Sequence, residues 1–568
     1  SSKREAAMLL PAAETFSTIE ALLDGTYERY PAKELAHAWA ASIFDDHGWG
    51  GNQGQITDQL FRSKLDSARD AGRELLGQAL GRIGSRIRFP RNAGTPIVVF
   101  NALSWQRTDP VVCSVSLDSP DLRVTDADGW PMPYQVSPAE PGQPAAARKI
   151  MFIARNVPSV GYKTYYVLSR KQTGKKEAPS IQISNQVIEN KFYRITLLPG
   201  GIKSIVDKEL KLELLNDQKF LGAELFTMRS VGNGAGEFGQ TQQPTMEEFD
   251  RLSLHKPTWR QCESGPVFTA FVLEQRLPTC TLRQKLVVYQ DLKRIDMEAS
   301  ILGWNGAPYR EFRMALPLKM DKGIVSYEVP MGVVTVGKDE MPGAAGLAYG
   351  SVNYSQPCNE AHPREVQNFI SASDGRLGVT MSSSVAVCDF MDPTADPVTY
   401  PVLQPILLAS RKSCHGLGNW YLQEGDHHYR FSIFSHASGW ENGYREAIQA
   451  NNPLIPVVGP APGTGLSLPM EKSFFSTSGN NVLLSTIKKC DDDDQVIARC
   501  YEMEGRDSDV QLQLPVSITR AELTNIIEEE GKVIPSGYLN IAVKFGHHAI
   551  ETFKLFPATP VRAEAGGR

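Results

Sequence analysis

A change of periodicity near residue 88 constrains the fold of this chain more than any other feature of its sequence. Apolar residues recur at helical spacing before that point, and from Phe89 onward the chain carries runs such as PIVVFNALSW, KTYYVL and LRQKLVVYQ. Runs of about four to eight residues rich in β-branched and aromatic side chains, separated by Gly- and Pro-rich turns, are typical of strands. Strands over so much of the chain, with hardly any helical pattern among them, predict large antiparallel sandwiches.

The first 88 residues predict three helices packed as a bundle. The first is expected around residues 12–23. A second follows Pro31, where Leu35, Trp39 and Ile43 form an apolar stripe that ends near Phe44. A third, longer helix is predicted after Thr57 as its N-cap. Its narrow seam suits close packing against other helices and consists of Phe61, Leu65, Ala68, Gly72, Leu75, Ala79 and Ile83.

Together these patterns predict a mixed, mostly β fold, in which an N-terminal three-helix bundle is followed by antiparallel β-sandwich domains. Four parts are expected: residues 1–88 as the bundle, 89–173 as a small β-sandwich, 174–460 as a large β-supersandwich and 461–568 as a C-terminal β-sandwich segment. The linker-like GKKEAPS and the Pro- and Gly-rich PLIPVVGPAPGTGLSLPM mark two of the boundaries.

Composition narrows the classes of partner. The chain has 568 residues, a net charge of −5, 41% hydrophobic and 22% charged residues, which is typical of a globular protein and argues against nucleic acid or an anionic membrane as partner. No run of about 18 apolar residues occurs, so no membrane span is expected. The eight cysteines form no CxxC pair. Cys490 and Cys500 flank an acidic turn, where a disulfide across a hairpin is conceivable.

The stretch IFDDHGWGG, residues 43–51, concentrates groups that bind cations or move protons. One interpretation is a helix C-terminus, ended by Gly48 or Gly50 and stabilised by His47. That interpretation leaves Asp45 and Asp46 at the unfavourable end of the helix dipole, where two anions need a partner. A catalytic or metal-binding role for Asp45, Asp46 and His47 is therefore the alternative.

Polar and acidic loops elsewhere carry weaker signals. Residues 234–239 match GxGxxG, but no helix follows, so dinucleotide binding is not favoured. The next residues include Gln240 and Gln242, whose planar amides suit sugar hydroxyls. Asp491–Asp494 and Glu528–Glu530 are interpreted as solvated hairpin turns. The pairs His427–His428 and His547–His548 are not expected to chelate one ion, because adjacent strand residues point to opposite faces.

Several long segments of the sequence, taken in their order along the chain, resemble segments of a known protein family. The stretches AETFSTIEALL and YPAKELAHAWAASIF, then PIVVFNALSWQRTD, VIENKFYRITLLPGGIKSIVDKELKLELL, EVQNFISASDGRLGVTM and YRFSIFSHASGW, together resemble the C-terminal two-thirds of a glycoside hydrolase family 38 α-mannosidase. The resemblance covers nearly the whole chain. It implies that the largest sandwich is a mutarotase-like supersandwich.

The family resemblance also implies a site. Members are retaining glycosidases whose zinc ion binds mannose hydroxyls, with an aspartate nucleophile and a second carboxylic acid. Zinc is held by one His and two Asp of an N-terminal barrel and by one His after the second helix of the bundle, a position that maps onto His47. Asp45 and Asp46, the candidate catalytic residues, would orient the imidazole or bond a sugar hydroxyl. Trp49 would stack on a sugar ring or lie in the core.

The chain departs from the family pattern in two ways. Many members carry this histidine in an HD pair, whereas the order here is DDHGWGG. The barrel that supplies the nucleophile does not occur in this sequence, which opens SSKREAAML. We therefore expect a zinc ion shared with a barrel domain or chain, a mannose-containing glycan or glycoside as substrate, and no activity of this chain alone. The sequence also allows a homo-oligomer.

Two other functions stay open at this point. One is a non-catalytic β-sandwich protein that binds carbohydrate or scaffolds a partner. The other is an aldose-mutarotase-like enzyme, which requires a carboxylate and histidines in a sandwich cleft.

Overall fold

The computed structural model describes residues 2–43, 55–91, 93–116, 122–137, 147–169, 181–184, 186–230, 247–340, 363–394, 396–412, 420–461, 463 and 467–559. Two compact units make up the chain. Unit 1 holds most of the N-terminal helical region, the strands of residues 95–169 and the residues from 452 onward. Unit 2 holds the intervening strands up to residue 451, together with residues 55–60 at the start of the third helix.

Helices are concentrated at the N-terminus. In the part of the chain that the structure describes, the α-helices are α1 Ser2–Asp24, α2 Ala32–Ser42, α3 Gln55–Gly84, α4 Leu252–His255 and α5 Tyr444–Asn451, with a 3-10 turn at Trp440–Asn442. The three predicted N-terminal helices are thus confirmed.

Their boundaries differ from the predictions in instructive ways. α1 begins well before Pro11, because Leu9 and Leu10 are buried and one missing backbone donor does not outweigh that burial. Pro31 is the N-cap of α2 rather than its first helical residue. Thr57 is not a cap, since α3 begins two residues earlier, at Gln55.

Small residues bring the three helices together. Ala6 and Leu10 of α1, Ala38 of α2 and Ala68 of α3 form one buried cluster. Gly72 lies so close to α1 that a Cβ at this position would approach Leu9 Cβ to 3.1 Å. α1 is long and apolar enough to cross a membrane, but most of it is buried in unit 1, as expected for a core helix.

Seven strands follow the helices. They are β1 Thr95–Asn101, β2 Arg107–Ser116, β3 Leu122–Thr125, β4 Pro131–Met132, β5 Tyr134–Ser137, β6 Ala147–Val157 and β7 Gly161–Ser169.

The strands of unit 2 occupy the middle of the chain. They are β8 Gln182–Ser184, β9 Val187–Glu189, β10 Tyr193–Leu198, β11 Gly201–Asp207, β12 Leu212–Glu213, β13 Glu224–Arg229, β14 Asp250–Arg251, β15 Arg260–Ser264, β16 Phe268–Arg276, β17 Thr281–Tyr289, β18 Ile295–Trp304, β19 Arg310–Pro317, β20 Ile324–Val329, β21 Gly332–Thr335, β22 Arg364–Glu365, β23 Phe369–Ser373, β24 Gly378–Ser383, β25 Val387–Asp389, β26 Val402–Lys412, β27 Trp420–Tyr421 and β28 Gly425–His436.

The last strands return to unit 1. They are β29 Ile455–Val458, β30 Glu471–Ser473, β31 Ser476–Thr477, β32 Val482–Lys489, β33 Val496–Glu502, β34 Ser508–Gln513, β35 Ile518–Thr524, β36 Lys532–Ile534, β37 Asn540–Phe545 and β38 Ile550–Pro557.

Unit 1 contains two cores. The six-stranded sheet β29-β1-β7-β3-β4, with β30 on β7, encloses the first core with the three-stranded sheet β2-β6-β5. The second core joins the helices to the sheets β31-β34-β37 and β32-β33-β38-β35-β36. Phe16 of α1 meets Phe100 of β1 edge to face in this second core, with ring centroids 5.6 Å apart. The helices therefore bury their apolar faces against strands from both ends of the chain.

Unit 2 is built from three sheets around one large core. Their orders are β15-β16-β17-β18-β28-β24-β23-β20-β21, β14-β13-β19-β26-β25-β22 with β27 on β26, and β12-β11-β10-β9-β8. Trp304 is fully buried there, packs edge to face on Phe312 and donates its indole N–H to the Leu422 carbonyl at 2.7 Å. It is a core residue of the sandwich.

The predicted fold class is confirmed: the chain is mostly β, with several antiparallel sheets and N-terminal helices. The mutarotase-like character of the large sandwich and the four-part division of the chain stay predictions.

Candidate functional site

The six residues predicted for the site lie outside the described residues. Two segments contain them, one between α2 and α3 and one after β13, and the residues are Asp45, Asp46, His47, Trp49, Gln240 and Gln242. Their roles stay predictions. The described elements show what flanks each segment.

The end of α2 excludes one interpretation of the IFDDHGWGG stretch. α2 ends at Ser42, and Ile43 is its C-cap in an extended conformation, with φ −123° and ψ 101°. The Ile43 N–H and the Ser42 hydroxyl both donate to the Trp39 carbonyl, at 3.1 and 2.8 Å. These donors satisfy that carbonyl, so the helix ends without a glycine. The explanation of this stretch as a glycine-terminated helix end is wrong.

A cleft of about 470 Å³ in unit 1 lies beside α2; we call it the helix–hairpin cleft. Helices α1 and α2 form one side of it and the β32–β33 hairpin forms the other. Its lining includes Glu14, Tyr30, Trp39, Thr486 and Lys488. The sequence offered no signal for this cleft, because its two sides lie at opposite ends of the chain.

Glu14 is a carboxylic acid in the lining of the helix–hairpin cleft. Burial, as the largest cause, raises its pKa to about 7. The ammonium of Lys488 opposes that rise, the carboxylates of Asp491 and Glu528 add to it, and a hydrogen bond from the Trp39 side chain opposes it. Glu14 therefore exchanges its proton near neutral pH.

Lys488 is held by acids from two turns. Its Nζ lies 2.6 Å from Asp491 Oδ1 and 2.7 Å from Glu528 Oε1. Burial alone would lower the pKa of Lys488, but these two hydrogen bonds raise it above its usual value. Glu528 is buried, so the expectation that it lies in a solvated turn is wrong. Asp491 is exposed, as expected for the turn between β32 and β33.

A buried ionic cluster lies on the seven-stranded sheet of unit 2. Arg313 Nε donates to Glu311 at 2.6 Å, and its Nη1 donates to Asp389 at 2.7 Å and to the Gln404 side-chain oxygen at 3.0 Å. Arg411 donates to the other oxygen of Glu311 at 2.6 Å. The side chains of Arg313, Glu311 and Asp389 are at most 1% exposed.

Mutual pairing keeps this cluster charged. Burial would raise the pKa of Glu311, but the guanidinium groups of Arg313 and Arg411 lower it below its usual value. A buried salt bridge of this kind requires every partner, since an unpaired ion in the interior is costly. The cluster borders the strand β13 that precedes the segment of Gln240, because β13 pairs with β19, which carries Glu311 and Arg313. A sequence signal existed: Glu311 and Arg313 alternate with Phe312 and Met314, and the rest of the strand after Met314 is apolar.

The described histidines and cysteines do not assemble a metal site. No group of three or more His, Cys, Asp or Glu side chains is placed to hold an ion in the described ranges. His427 contacts the Gln423 carbonyl and His428 contacts Ser300, so the two rings have different partners. The described part of the chain therefore offers no zinc site of its own.

The prediction that Cys490 and Cys500 could form a disulfide is wrong. Both thiols are free and buried. Cys500 pairs with Leu484 in the β32–β33 ladder, whereas Cys490 lies past the end of β32 and its N–H donates to the Gln495 carbonyl. The hairpin was predicted correctly, but its register keeps the two thiols from facing each other.

Comparison with protein families gives two matches. Residues 188–383 match the family described as "Glycosyl hydrolases family 38 C-terminal domain". Residues 481–553 match "Glycosyl hydrolases family 38 C-terminal beta sandwich domain". The first match lies in unit 2 and the second in unit 1.

Individual proteins agree with these matches. Alpha-mannosidase G of Dictyostelium discoideum is 20% identical over 384 residues, which is 65% of this chain and 32% of that protein. The aligned part thus spans about a third of the length of that curated relative. Two solved structures, a glycosyl hydrolase family 38 protein from Enterococcus faecalis and an alpha-mannosidase from Enterococcus faecalis V583, have TM-scores of 0.76. They are 14% and 15% identical, cover 97% of this chain and 70% and 66% of their own, and show the shared fold.

Proposed function

Because the chain carries the C-terminal domains of glycoside hydrolase family 38, we propose that it is the C-terminal part of a zinc-dependent retaining α-mannosidase. It would supply one zinc ligand and walls of the substrate cleft to a catalytic barrel that lies outside these 568 residues. The observation that carries the proposal is the pair of family matches, over residues 188–383 and 481–553.

His47 is the proposed zinc ligand. A neutral imidazole is a common ligand for zinc, and a carboxylate beside it commonly fixes the ring by accepting its second N–H. Asp45 or Asp46 is proposed for that positioning role or for a hydrogen bond to a sugar hydroxyl. Trp49 is proposed as a stacking surface for the sugar ring. When bound, the zinc ion would coordinate hydroxyls of the mannose ring.

Gln240 and Gln242 are the proposed substrate contacts from unit 2. A side-chain amide both donates and accepts, which matches the hydroxyl groups of a sugar. β13, the strand before them, is fixed on one side by six paired positions with β19. The buried ionic cluster pairs Glu311 and Arg313 of β19 with partners on neighbouring strands.

The test is hydrolysis of an aryl α-mannoside by the chain together with its barrel, supplied on the same or a separate polypeptide. We expect His47→Ala to lower activity by about a hundredfold or more, because a missing ligand weakens the metal and misplaces the substrate. His37→Ala is the matched control, since His37 is exposed on α2, before the loop.

Two results would contradict the proposal. Full activity of the His47→Ala variant would remove His47 from the site. No hydrolysis by the wild-type chain with its barrel would favour the alternative of a non-catalytic carbohydrate-binding or scaffolding protein.

A further inference from the structure

The helix–hairpin cleft has the size of a ligand site and plays no part in the proposed function. Its volume of about 470 Å³ falls within the roughly 300–1,000 Å³ of small-molecule pockets. The elements that line it, α1, α2 and the β32–β33 hairpin, share one core in unit 1. The cleft is therefore rigidly built.

The cations that line the cleft already have partners within the protein. Lys488 is bonded to Asp491 and Glu528. Arg499 donates to the Thr552 hydroxyl at 3.0 Å and to the Ile526 carbonyl at 2.7 Å. Lys489 Nζ lies 3.3 Å from Asp494. With both lysines paired to carboxylates and the Arg499 guanidinium already hydrogen-bonded, the described lining of the cleft does not concentrate the positive charge that an anionic ligand needs.

Groups that suit hydroxyls remain on the cleft wall. The Thr486 hydroxyl has the Ser485 hydroxyl as a distant neighbour at 3.4 Å, which leaves capacity for another bond. Glu14 titrates near neutral pH, so its carboxyl group both donates and accepts there. Such groups bond a neutral polyhydroxylated molecule without a charge on the ligand.

Two aromatic side chains complete the lining. Trp39 and Tyr30 are both half-buried at the cleft. Aromatic rings offer a flat apolar surface with a polar tip, and binding sites commonly combine such rings with a few polar groups. A pyranose ring has the matching character, with apolar C–H faces and hydroxyls around its edge.

We propose that the helix–hairpin cleft binds a neutral hexopyranose unit, contacted by Thr486, Glu14 and the ring of Trp39, and that this binding does not depend on His47. The site goes beyond the proposed function, because it requires neither zinc nor the barrel. It would give the chain a second point of attachment to a glycan.

Calorimetric titration of the full chain with methyl α-D-mannopyranoside and with methyl α-D-glucopyranoside tests this proposal. We expect saturable binding of at least one sugar, weakened about five- to tenfold in Thr486→Val and Glu14→Ala, as for the loss of one hydrogen bond. Val keeps the β-branched shape in β32, so the Thr486→Val variant should fold. Thr519→Val, an exposed position on β35, is the matched control and should bind like wild type.

His47→Ala separates the two proposals, because the variant chain should retain sugar binding in the titration while its mannosidase activity, assayed together with the barrel, should be lost. The cleft proposal is overturned if wild type binds neither sugar, or if folded Thr486→Val and Glu14→Ala variants bind with unchanged affinity. Loss of all binding in His47→Ala, or binding of inorganic phosphate in preference to sugar, would overturn it as well. Circular dichroism and thermal unfolding establish that each variant is folded.

Discussion

At the scale of single residues, Glu14 makes the free energy of unfolding of unit 1 depend on pH. Its folded-state pKa of about 7 lies above the roughly 4.3 of a free glutamate. The folded state therefore keeps a proton that the unfolded state releases. The stabilisation this provides is complete below about pH 4 and is lost as the pH rises through about 7.

The Glu14→Gln variant tests this coupling. Glutamine cannot ionise, so we expect the variant to unfold with a free energy about 1–2 kcal/mol higher than wild type at pH 8, and to match wild type near pH 4, after allowance for partial solvent screening. Urea unfolding at the two pH values measures the difference. Glu34→Gln, at an exposed position on α2, is the control. A Glu14→Gln effect that is the same at both pH values would contradict the assignment.

Removal of Arg313 should strongly destabilise unit 2. Arg313→Met leaves Glu311 without one partner and Asp389 without its guanidinium, both in the interior. We expect a loss of about 3–5 kcal/mol in the free energy of unfolding.

An exposed ion pair on the same unit provides the comparison. Arg260 and Glu274 lie 3.7 Å apart with 67% and 45% of their side chains exposed, so Arg260→Met should cost at most about 1 kcal/mol. Chemical denaturation of both variants measures the contrast. Equal losses for the two variants would show that the buried cluster is not a tightly coupled network.

At the scale of elements, we expect substitutions at two glycines of α3 to change the free energy of unfolding in opposite directions. A side chain at Gly72 would meet Leu9 Cβ at 3.1 Å and Leu10 Cδ2 at 3.2 Å, whereas nothing lies within 4 Å of a Cβ at Gly77. We expect Gly72→Val to lower the free energy of unfolding by about 1–3 kcal/mol through overpacking. Gly77→Ala should raise it by up to about 1 kcal/mol through helix propensity. Thermal unfolding of the pair measures both, and a stabilised Gly72→Val would contradict the close approach of α1 and α3.

Local sequence patterns predicted which helices and strands form better than they predicted where each helix or strand begins and ends. The three N-terminal helices, the strands after residue 89 and the β32–β33 hairpin follow from periodicity and turn residues, which act over a few positions. Local patterns did not predict that α3 begins before Thr57, or that the thiols of Cys490 and Cys500 are free. Helix caps and strand register depend on packing against distant segments.

The sequence predicted only those parts of the candidate site whose residues are neighbours in the chain. The grouping of Asp45, Asp46 and His47 is visible in the sequence because the residues are adjacent. The helix–hairpin cleft is not, since Glu14 and Lys488 meet only when the last strands of the chain pack on the first helix. Long-range contacts of this kind leave no local periodicity.

At the scale of the whole molecule, each of the two units carries one of the two family matches. Unit 2 bears the family match that precedes and follows the Gln240 segment, and unit 1 bears the helices that precede the His47 loop. The described residues hold no complete metal site. We therefore propose that hydrolysis requires this chain together with a barrel, and that this chain contributes part of the sugar recognition.

Zinc retention tests that central claim most directly. The chain joined to its barrel is dialysed against a chelator, and the zinc bound per molecule is measured for wild type, His47→Ala and His37→Ala. We predict that wild type and His37→Ala keep the ion under conditions that strip His47→Ala, with a loss of affinity of about a hundredfold or more. Equal zinc retention by His47→Ala and wild type would contradict the claim that this chain completes the metal site of an α-mannosidase.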